Sequence, residues 1–172
     1  NVVQQSAYDA NGFSAVLLQS RTTGEKVLAI AGTDSTSGSD LFADAHVALS
    51  GTALGMPQYG SLEAFYTQLV STGKLGVSEQ IVVTGHSLGG FLTQAFTARH
   101  ASVVSEAYTY NAPGFGSIEI LLGFFGIADT SSAAKITNVH AVDGLSVTAG
   151  LGVLLGASQG VPIEAGANPL SN

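Results

Sequence analysis

The residues Gly85-His86-Ser87-Leu88-Gly89 match the pattern G-x-S-x-G, which suits a serine that attacks a carbonyl group. In this pattern the serine occupies a tight turn between a strand and a helix. The glycines on either side lack a Cβ, so the strand and the helix can approach each other closely. The turn lifts the Ser87 hydroxyl off the sheet edge and puts the Leu88 amide at the start of a helix. That amide and the helix dipole can stabilise an oxyanion.

The sequence on both sides of Ser87 has the periodicity that this turn requires. Residues 81–83 are Ile-Val-Val, which is typical of a buried strand. After the serine, apolar side chains recur at helical spacing, at Leu88, Phe91, Leu92, Ala95 and Phe96. This context predicts that Ser87 is a nucleophile. The alternative is a small-residue turn in an α/β fold without a catalytic role, because glycine and serine are common in this chain.

A serine nucleophile needs a base, and the base needs an acid that orients it. In this architecture the chain order is serine, then the acid, then histidine. The acidic residues after Ser87 are Glu106, Glu119, Asp129, Asp143 and Glu164. Asp143 follows the apolar stretch 136–142 and precedes a glycine, so it lies at the carboxyl end of a predicted strand, where open α/β sheets place their sites. We therefore predict Asp143 as the acid, with Asp129 as the alternative.

The base is not evident among the four histidines, which are His46, His86, His100 and His140. None of them follows Asp143. We expect structural roles for all four, since His86 points elsewhere on the tight turn and His100 lies roughly 20 Å from Ser87 along the helix. The catalytic histidine is therefore expected beyond Asn172. The chain begins at Asn1 without a leader, which indicates a processed or partial chain.

The elements that must position these residues alternate between strands and helices. The predicted strands are a hairpin over 13–20 and 26–31, the triplet 81–83, and segments 107–114, 136–142 and 160–166, with 150–160 as a loop. The predicted helices are one over 40–49 capped by Asp40, one that Ser61 caps and Gly73 ends, and one after Ser87. This order predicts a single α/β domain over 1–172, with a mostly parallel central sheet flanked by helices.

Composition narrows the function classes. The chain has 172 residues, of which 45 % are hydrophobic and 10 % charged, so a packed core is expected. A formal net charge of -7 disfavours nucleic acid and gives no attraction to anionic lipid headgroups. Without cysteine there is no disulfide and no thiolate site. The sequence has no apolar run long enough for a transmembrane helix. Scarce lysine and arginine suit an exported bacterial protein.

Five segments carry a family resemblance, and they are spread over most of the chain. They are AIAGTDS (29–35), DLFAD (40–44), VVTGHSLGG (82–90), AYTYNAPGFG (107–116) and ITNVHAVDGLS (136–146). The chain resembles lipases of the class 3 type. Within them it is most similar to the bacterial lipase-like α/β-hydrolase domains of large exported proteins with calcium-binding repeats. The segments 82–90 and 110–114 are the most specific.

The resemblance implies an α/β-hydrolase-type fold, a secreted or cell-surface location, and a role for each matching residue. Ser87 would be the nucleophile and Asp143 the acid. Thr33 and the Leu88 amide would form the oxyanion hole, although Ala31 stands where the family usually has arginine. The family's histidine follows a final short strand. No cofactor is required. A structural calcium would be compatible with the family, but the sequence has no convincing cluster of acidic ligands.

These observations predict a carboxylic ester hydrolase, a lipase or esterase, that acts through an acyl-enzyme on a small-molecule ester or a lipid, also at a lipid interface. The apolar segments 114–127 and 145–156 would line an acyl groove or simply pack in the core. The alternatives are a phospholipase or polyester hydrolase on the same fold, and a non-catalytic binding or surface module that kept the turn and lost the base.

Overall fold

A seven-stranded sheet forms the centre of the computed structural model, which describes residues 1–6, 9–32, 55–117, 131–142 and 152–162. The strands lie in chain order across the sheet. They are β1 (Val2–Gln5), β2 (Ala15–Gln19), β3 (Lys26–Ile30), β4 (Ile81–His86), β5 (Val104–Tyr110), β6 (Ile136–Ala141) and β7 (Ala157–Val161). The helices are α1 (Gly55–Ser71), α2 (Leu88–Arg99) and a 3-10 helix (Ser131–Lys135).

The first three strands are antiparallel and the rest of the sheet is parallel. β1 pairs with β2 and β2 with β3 in antiparallel fashion, whereas β3 to β7 are parallel neighbours. The predicted hairpin is confirmed, and Gly24 in its turn has a φ of 76°. The predicted α/β class with a mostly parallel central sheet is confirmed as well. When each new parallel strand is added on the same side of the sheet through a right-handed crossover, the connecting helices lie on the same face of the sheet. In agreement with this rule, α1 and α2 contact each other.

Helix α1 confirms the predicted apolar spacing but not the predicted start. Leu62, Phe65 and Leu69 recur on one side of the helix and are buried in the core. The helix begins at Gly55 rather than after Ser61, so Ser61 is not its cap. The Ser61 hydroxyl instead donates to the carbonyl of Pro57 in the preceding turn, 3.2 Å away. A helix interior accepts serine when its hydroxyl bonds back to the backbone in this way.

Helix α2 is buried on nearly all sides, since every residue from Gly89 to Ala98 is buried. It packs against β3, β4 and β5 and also contacts α1. Its buried hydroxyls bond to its own backbone: the Thr93 hydroxyl donates to the Gly89 carbonyl at 2.8 Å, and the Thr97 hydroxyl to the Thr93 carbonyl at 2.7 Å. The helix after Ser87 is therefore the central helix of the described fold.

Both outer strands differ from the prediction. β1 was not predicted, and β7 covers 157–161, mostly within a stretch predicted as a loop. The predicted strand 160–166 overlaps β7 only at Gly160 and Val161, the last two residues of β7. β7 reads Ala-Ser-Gln-Gly-Val and is exposed throughout, so it shows no alternation of apolar and polar residues. Pairing with β6, rather than hydrophobic patterning, makes this segment a strand. The helix predicted over 40–49 lies outside the described residues.

A carboxylate joins the two helices at the end away from Ser87. The Nε2 atom of His100, which follows α2, lies 2.9 Å from both carboxylate oxygens of Glu63 in α1, and Arg99 Nε lies 3.7 Å from one of them. Burial acts to raise the pKa of the Glu63 carboxyl. Hydrogen bonds from His100 and Tyr59 and the charges of His100 and Arg99 outweigh burial and hold this pKa below its ordinary value.

We expect Glu63 to make the stability depend on acid pH. A pKa that folding lowers contributes stability above the unfolded value of about 4.3, and this contribution is lost as the pH falls through the folded pKa. The free energy of unfolding, measured with urea from about pH 6 to about pH 3, should therefore fall less steeply in Glu63→Gln than in the wild type. The exposed Glu25→Gln is the control. Equal slopes for the wild type and Glu63→Gln would contradict this expectation.

Candidate functional site

Ser87 lies between the last residue of β4 and the first residue of α2, as the motif predicts. Its backbone has a φ of 55° and a ψ of -124°. Among the described residues, Ser87 and Asn111 are the non-glycine residues with a positive φ. Side chains disfavour this region, and such conformations cost about 1–3 kcal/mol each. The surrounding structure therefore holds Ser87 in a conformation that its own backbone does not prefer.

Three glycines allow the close approach of chain segments that creates this turn. A Cβ on Gly85 would lie 2.3 Å from the carbonyl carbon of Gly89, and one on Gly89 would lie 2.3 Å from the carbonyl oxygen of Ile30. A Cβ on Gly90 would lie 2.6 Å from the Cβ of Ala112. Real Cβ atoms do not come this close, so β3, β4, α2 and the loop after β5 meet around Ser87 because these positions have no side chain.

The backbone around Ser87 fixes the turn and leaves a donor for an anion. The Ser87 N–H donates to the Tyr110 carbonyl at 3.0 Å, and the Ser87 carbonyl accepts from the N–H groups of Gly90 and Phe91. Leu88 is the first residue of α2, so its N–H has no acceptor within the helix. Ser87 is 6 % exposed. A helix N-terminus in such a poorly hydrated place favours negative charge.

The segment after β3 runs beside the turn. A Cβ on Gly32 would lie 2.9 Å from the His86 carbonyl oxygen and 3.6 Å from the Ser87 Cβ. The structure thus brings Gly32, the residue before Thr33, against Ser87. Thr33 itself, the predicted second oxyanion donor, lies outside the described residues.

The two candidate acids, Asp129 and Asp143, also lie outside the described residues. The strand that precedes Asp143 in the chain, β6, is described. β6 ends at Ala141, and Val142 follows it. His86 pairs with Tyr110, and Tyr110 with Val139, so β4, β5 and β6 end at the same edge of the sheet. The chain therefore leaves β6 at the edge that carries Ser87. Neither Asp143 nor Asp129 is placed.

The described histidines do not have Ser87 as a partner. His86 is exposed at the end of β4. His100 bonds to Glu63 at the far end of α2, away from Ser87. His140 is half-buried, and its Nδ1 lies 3.3 Å from the Ser158 hydroxyl on β7. His46 lies outside the described residues.

In the described parts of the two predicted groove segments, Phe115 and Leu155 pack in the protein interior, whereas Val153 is 43 % exposed. Phe115 is 2 % exposed and its ring contacts Phe91 with a centroid distance of 4.6 Å. The backbone of Phe115 exchanges two hydrogen bonds with Val153, and Leu155 is buried in the core. These contacts favour the core-packing interpretation for Phe115 and Leu155, and the exposed Val153 stays compatible with a groove wall. The remainder of both segments lies outside the described residues.

Two buried amides hold this packing and were missed by the sequence reasoning. Gln94 of α2 donates to the Pro113 carbonyl and accepts from the Leu155 N–H, both at 3.0 Å. Asn138 of β6 accepts from the Thr109 hydroxyl and donates to the Leu155 carbonyl, both at 2.7 Å. A polar amide side chain within an apolar helix or strand could have indicated these two residues, because a buried amide requires hydrogen-bond partners.

The strain at Ser87 leads to a stability prediction that does not depend on activity. Glycine adopts positive φ without steric cost, whereas alanine retains the Cβ that disfavours it. Ser87→Gly should therefore be more stable than Ser87→Ala by about 1 kcal/mol, measured by urea unfolding. Both variants lack the hydroxyl, so the comparison isolates the backbone. Equal stabilities would show that the turn is not strained.

The described residues include neither a metal cluster nor a membrane-spanning helix. No group of three histidine, aspartate or glutamate side chains in the described ranges could hold a metal ion. No helix in the same ranges is long and apolar enough to cross a bilayer. The chain matches no model of a known protein family, and comparison with curated protein sequences gives no significant match.

Proposed function

We propose that this chain is a serine ester hydrolase domain of the lipase or esterase kind, on an α/β-hydrolase-type sheet similar to that of class 3 lipases. The observation that carries the proposal is the conformation of Ser87. A non-glycine residue is held at positive φ between a parallel strand and a buried helix, with glycines wherever a Cβ would clash. Backbone strain of this kind is kept at functional sites, where it serves the mechanism.

The proposed reaction proceeds through an acyl-enzyme. The Ser87 hydroxyl gives its proton to a base and its oxygen attacks the ester carbonyl carbon. The negative charge that develops on the carbonyl oxygen is held by the Leu88 N–H and by Thr33. The alcohol leaves with a proton from the base, and water then releases the acid by the same steps in reverse. Asp143 orients the base, a role that this mechanism gives to a histidine.

Exposed apolar side chains at the edge of the sheet that carries Ser87 support the proposal of an apolar substrate. Tyr110 is the last residue of β5, Val142 follows β6, and Val161 is the last residue of β7. Their exposed fractions are 44 %, 54 % and 39 %. Exposed apolar side chains at the end of the sheet that carries the candidate site provide apolar surface for an acyl chain or a lipid interface.

A non-catalytic binding module is the second candidate. The observation that favours it is that the partners of the described histidines do not include Ser87. In such a module the turn at Ser87 and the donor at Leu88 would bind an anionic group without turnover. Phospholipase and polyester hydrolase activities remain variants of the first candidate, because they use the same acyl transfer.

Covalent labelling tests the proposal. The longest native form of the protein is incubated with a fluorophosphonate, whose phosphorus bonds to an activated serine oxygen as fluoride leaves. We expect modification at Ser87 in peptide mass mapping and hydrolysis of p-nitrophenyl esters by the unlabelled protein. The chain length of the preferred ester separates an esterase from a lipase. Absence of both labelling and turnover would favour the binding module.

A further inference from the structure

We propose that Asn111 is a positioning residue, which ties the end of β5 to the end of β6 and thereby sets the path of the chain from Ala141 toward Asp143. The inference rests on the proposed hydrolase function, in which Asp143 orients the base. It concerns the described residues that connect this acid to the nucleophile.

Asn111 makes two hydrogen bonds to the end of β6. Its N–H donates to the Val139 carbonyl at 2.9 Å, and its side-chain Oδ1 accepts from the Ala141 N–H at 3.0 Å. The pairing between β5 and β6 ends at Tyr110 and Val139. The Ala141 N–H therefore lies beyond the last paired residue of β5, and the Asn111 side chain takes the position of the next backbone acceptor.

A short chain of bonds joins this clamp to the nucleophile. The Ser87 N–H donates to the carbonyl of Tyr110, the residue that precedes Asn111. Ser87 is thus fixed to β5, and Asn111 fixes β5 to Ala141, which stands two residues before Asp143 in the sequence. Through these contacts the ends of β4, β5 and β6 are tied together at the sheet edge that carries Ser87.

The conformation of Asn111 explains why asparagine suits this position. Its φ is 46°, in the left-handed region that asparagine and aspartate tolerate better than most residues. Glycine would adopt the backbone but lacks the acceptor oxygen. Alanine lacks the acceptor and is also strained there. Aspartate keeps both the tolerance and an acceptor oxygen for the Ala141 N–H.

The test compares Asn111→Gly with Asn111→Asp in the longest native form, with an ester that the wild type hydrolyses. Concentrations of active sites are set by fluorophosphonate titration, so that partial unfolding does not count as lost activity. We expect Asn111→Gly to lower kcat about 10-fold or more with KM nearly unchanged, because a small misplacement of a catalytic group has effects of this size. Asn111→Asp should recover most of this loss. Asn1→Gly, at the opposite edge of the sheet, is the control.

Amide hydrogen exchange supplies a readout that needs no activity. The Ala141 N–H should exchange faster in Asn111→Gly and stay protected in Asn111→Asp. Unchanged exchange at Ala141, or a kcat for Asn111→Gly equal to that of an active wild type, overturns the inference while the hydrolase proposal stands. A wild type that neither labels at Ser87 nor hydrolyses esters overturns the proposed function and this inference with it.

Discussion

Replacing Ser87 with alanine is expected to lower kcat/KM for ester hydrolysis by about 10³-fold or more, because the proposed reaction loses the atom that forms the acyl-enzyme. The Leu88 N–H stays in place, so weak binding of the ester should survive. Initial rates on p-nitrophenyl esters, measured with the longest native form, give this ratio. Removal of a nucleophile is among the largest effects that one substitution can have on a hydrolase.

A matched serine provides the control for this prediction. Ser105 is half-buried in β5 near the opposite edge of the sheet, where its hydroxyl donates to the Ile81 carbonyl at 3.1 Å. Ser105→Ala should keep the rates of the wild type. If Ser87→Ala hydrolyses the esters as fast as the wild type, Ser87 is not the nucleophile and the binding module becomes the better explanation.

Replacing Gly89 with alanine is expected to lower the free energy of unfolding by about 3 kcal/mol. The added Cβ would lie 2.3 Å from the Ile30 carbonyl oxygen and 2.8 Å from that of Ala31, and both contacts are with backbone. Relief requires α2 to move away from β3, which disturbs packing around Ser87. Urea unfolding followed by circular dichroism measures this loss.

Gly60 in α1 is the matched control, because it is also a helical glycine. A Cβ there would meet nothing within 4 Å. Gly60→Ala should therefore raise the free energy of unfolding by up to about 1 kcal/mol, through the better helix propensity of alanine. A Gly89→Ala protein as stable as the wild type would mean that α2 and β3 do not approach as closely as described.

The segment from β4 to α2 was predictable from sequence because several independent signals agree there. A buried-strand triplet, a change of period and two glycines at fixed offsets all require the same turn at Ser87. The start of α1 was less accessible. Ser61 looks like a cap, but α1 already begins at Gly55, and the Ser61 hydroxyl bonds to the Pro57 carbonyl inside the helix.

The outer strands and the residues behind the site lacked such signals. β7 is a strand because its backbone pairs with that of β6. No local sequence pattern within Ala157–Val161 reveals this pairing. Asn111 follows β5 and precedes Ala-Pro, so its sequence indicates only a turn. Its bond to the Ala141 amide joins residues 30 positions apart. Contacts over such distances depend on the assembled sheet.

The described strands lie across the sheet in the same order as along the chain, and this order affects how the sheet can form. Each strand from β2 onward lies beside the strand that precedes it in the chain, so its pairing partner has already been synthesised when it emerges. The sheet can therefore grow by one strand at a time as translation proceeds, without keeping a gap open for a later segment. In this order of assembly, β3 and β4 pair before α2 closes the turn at Ser87.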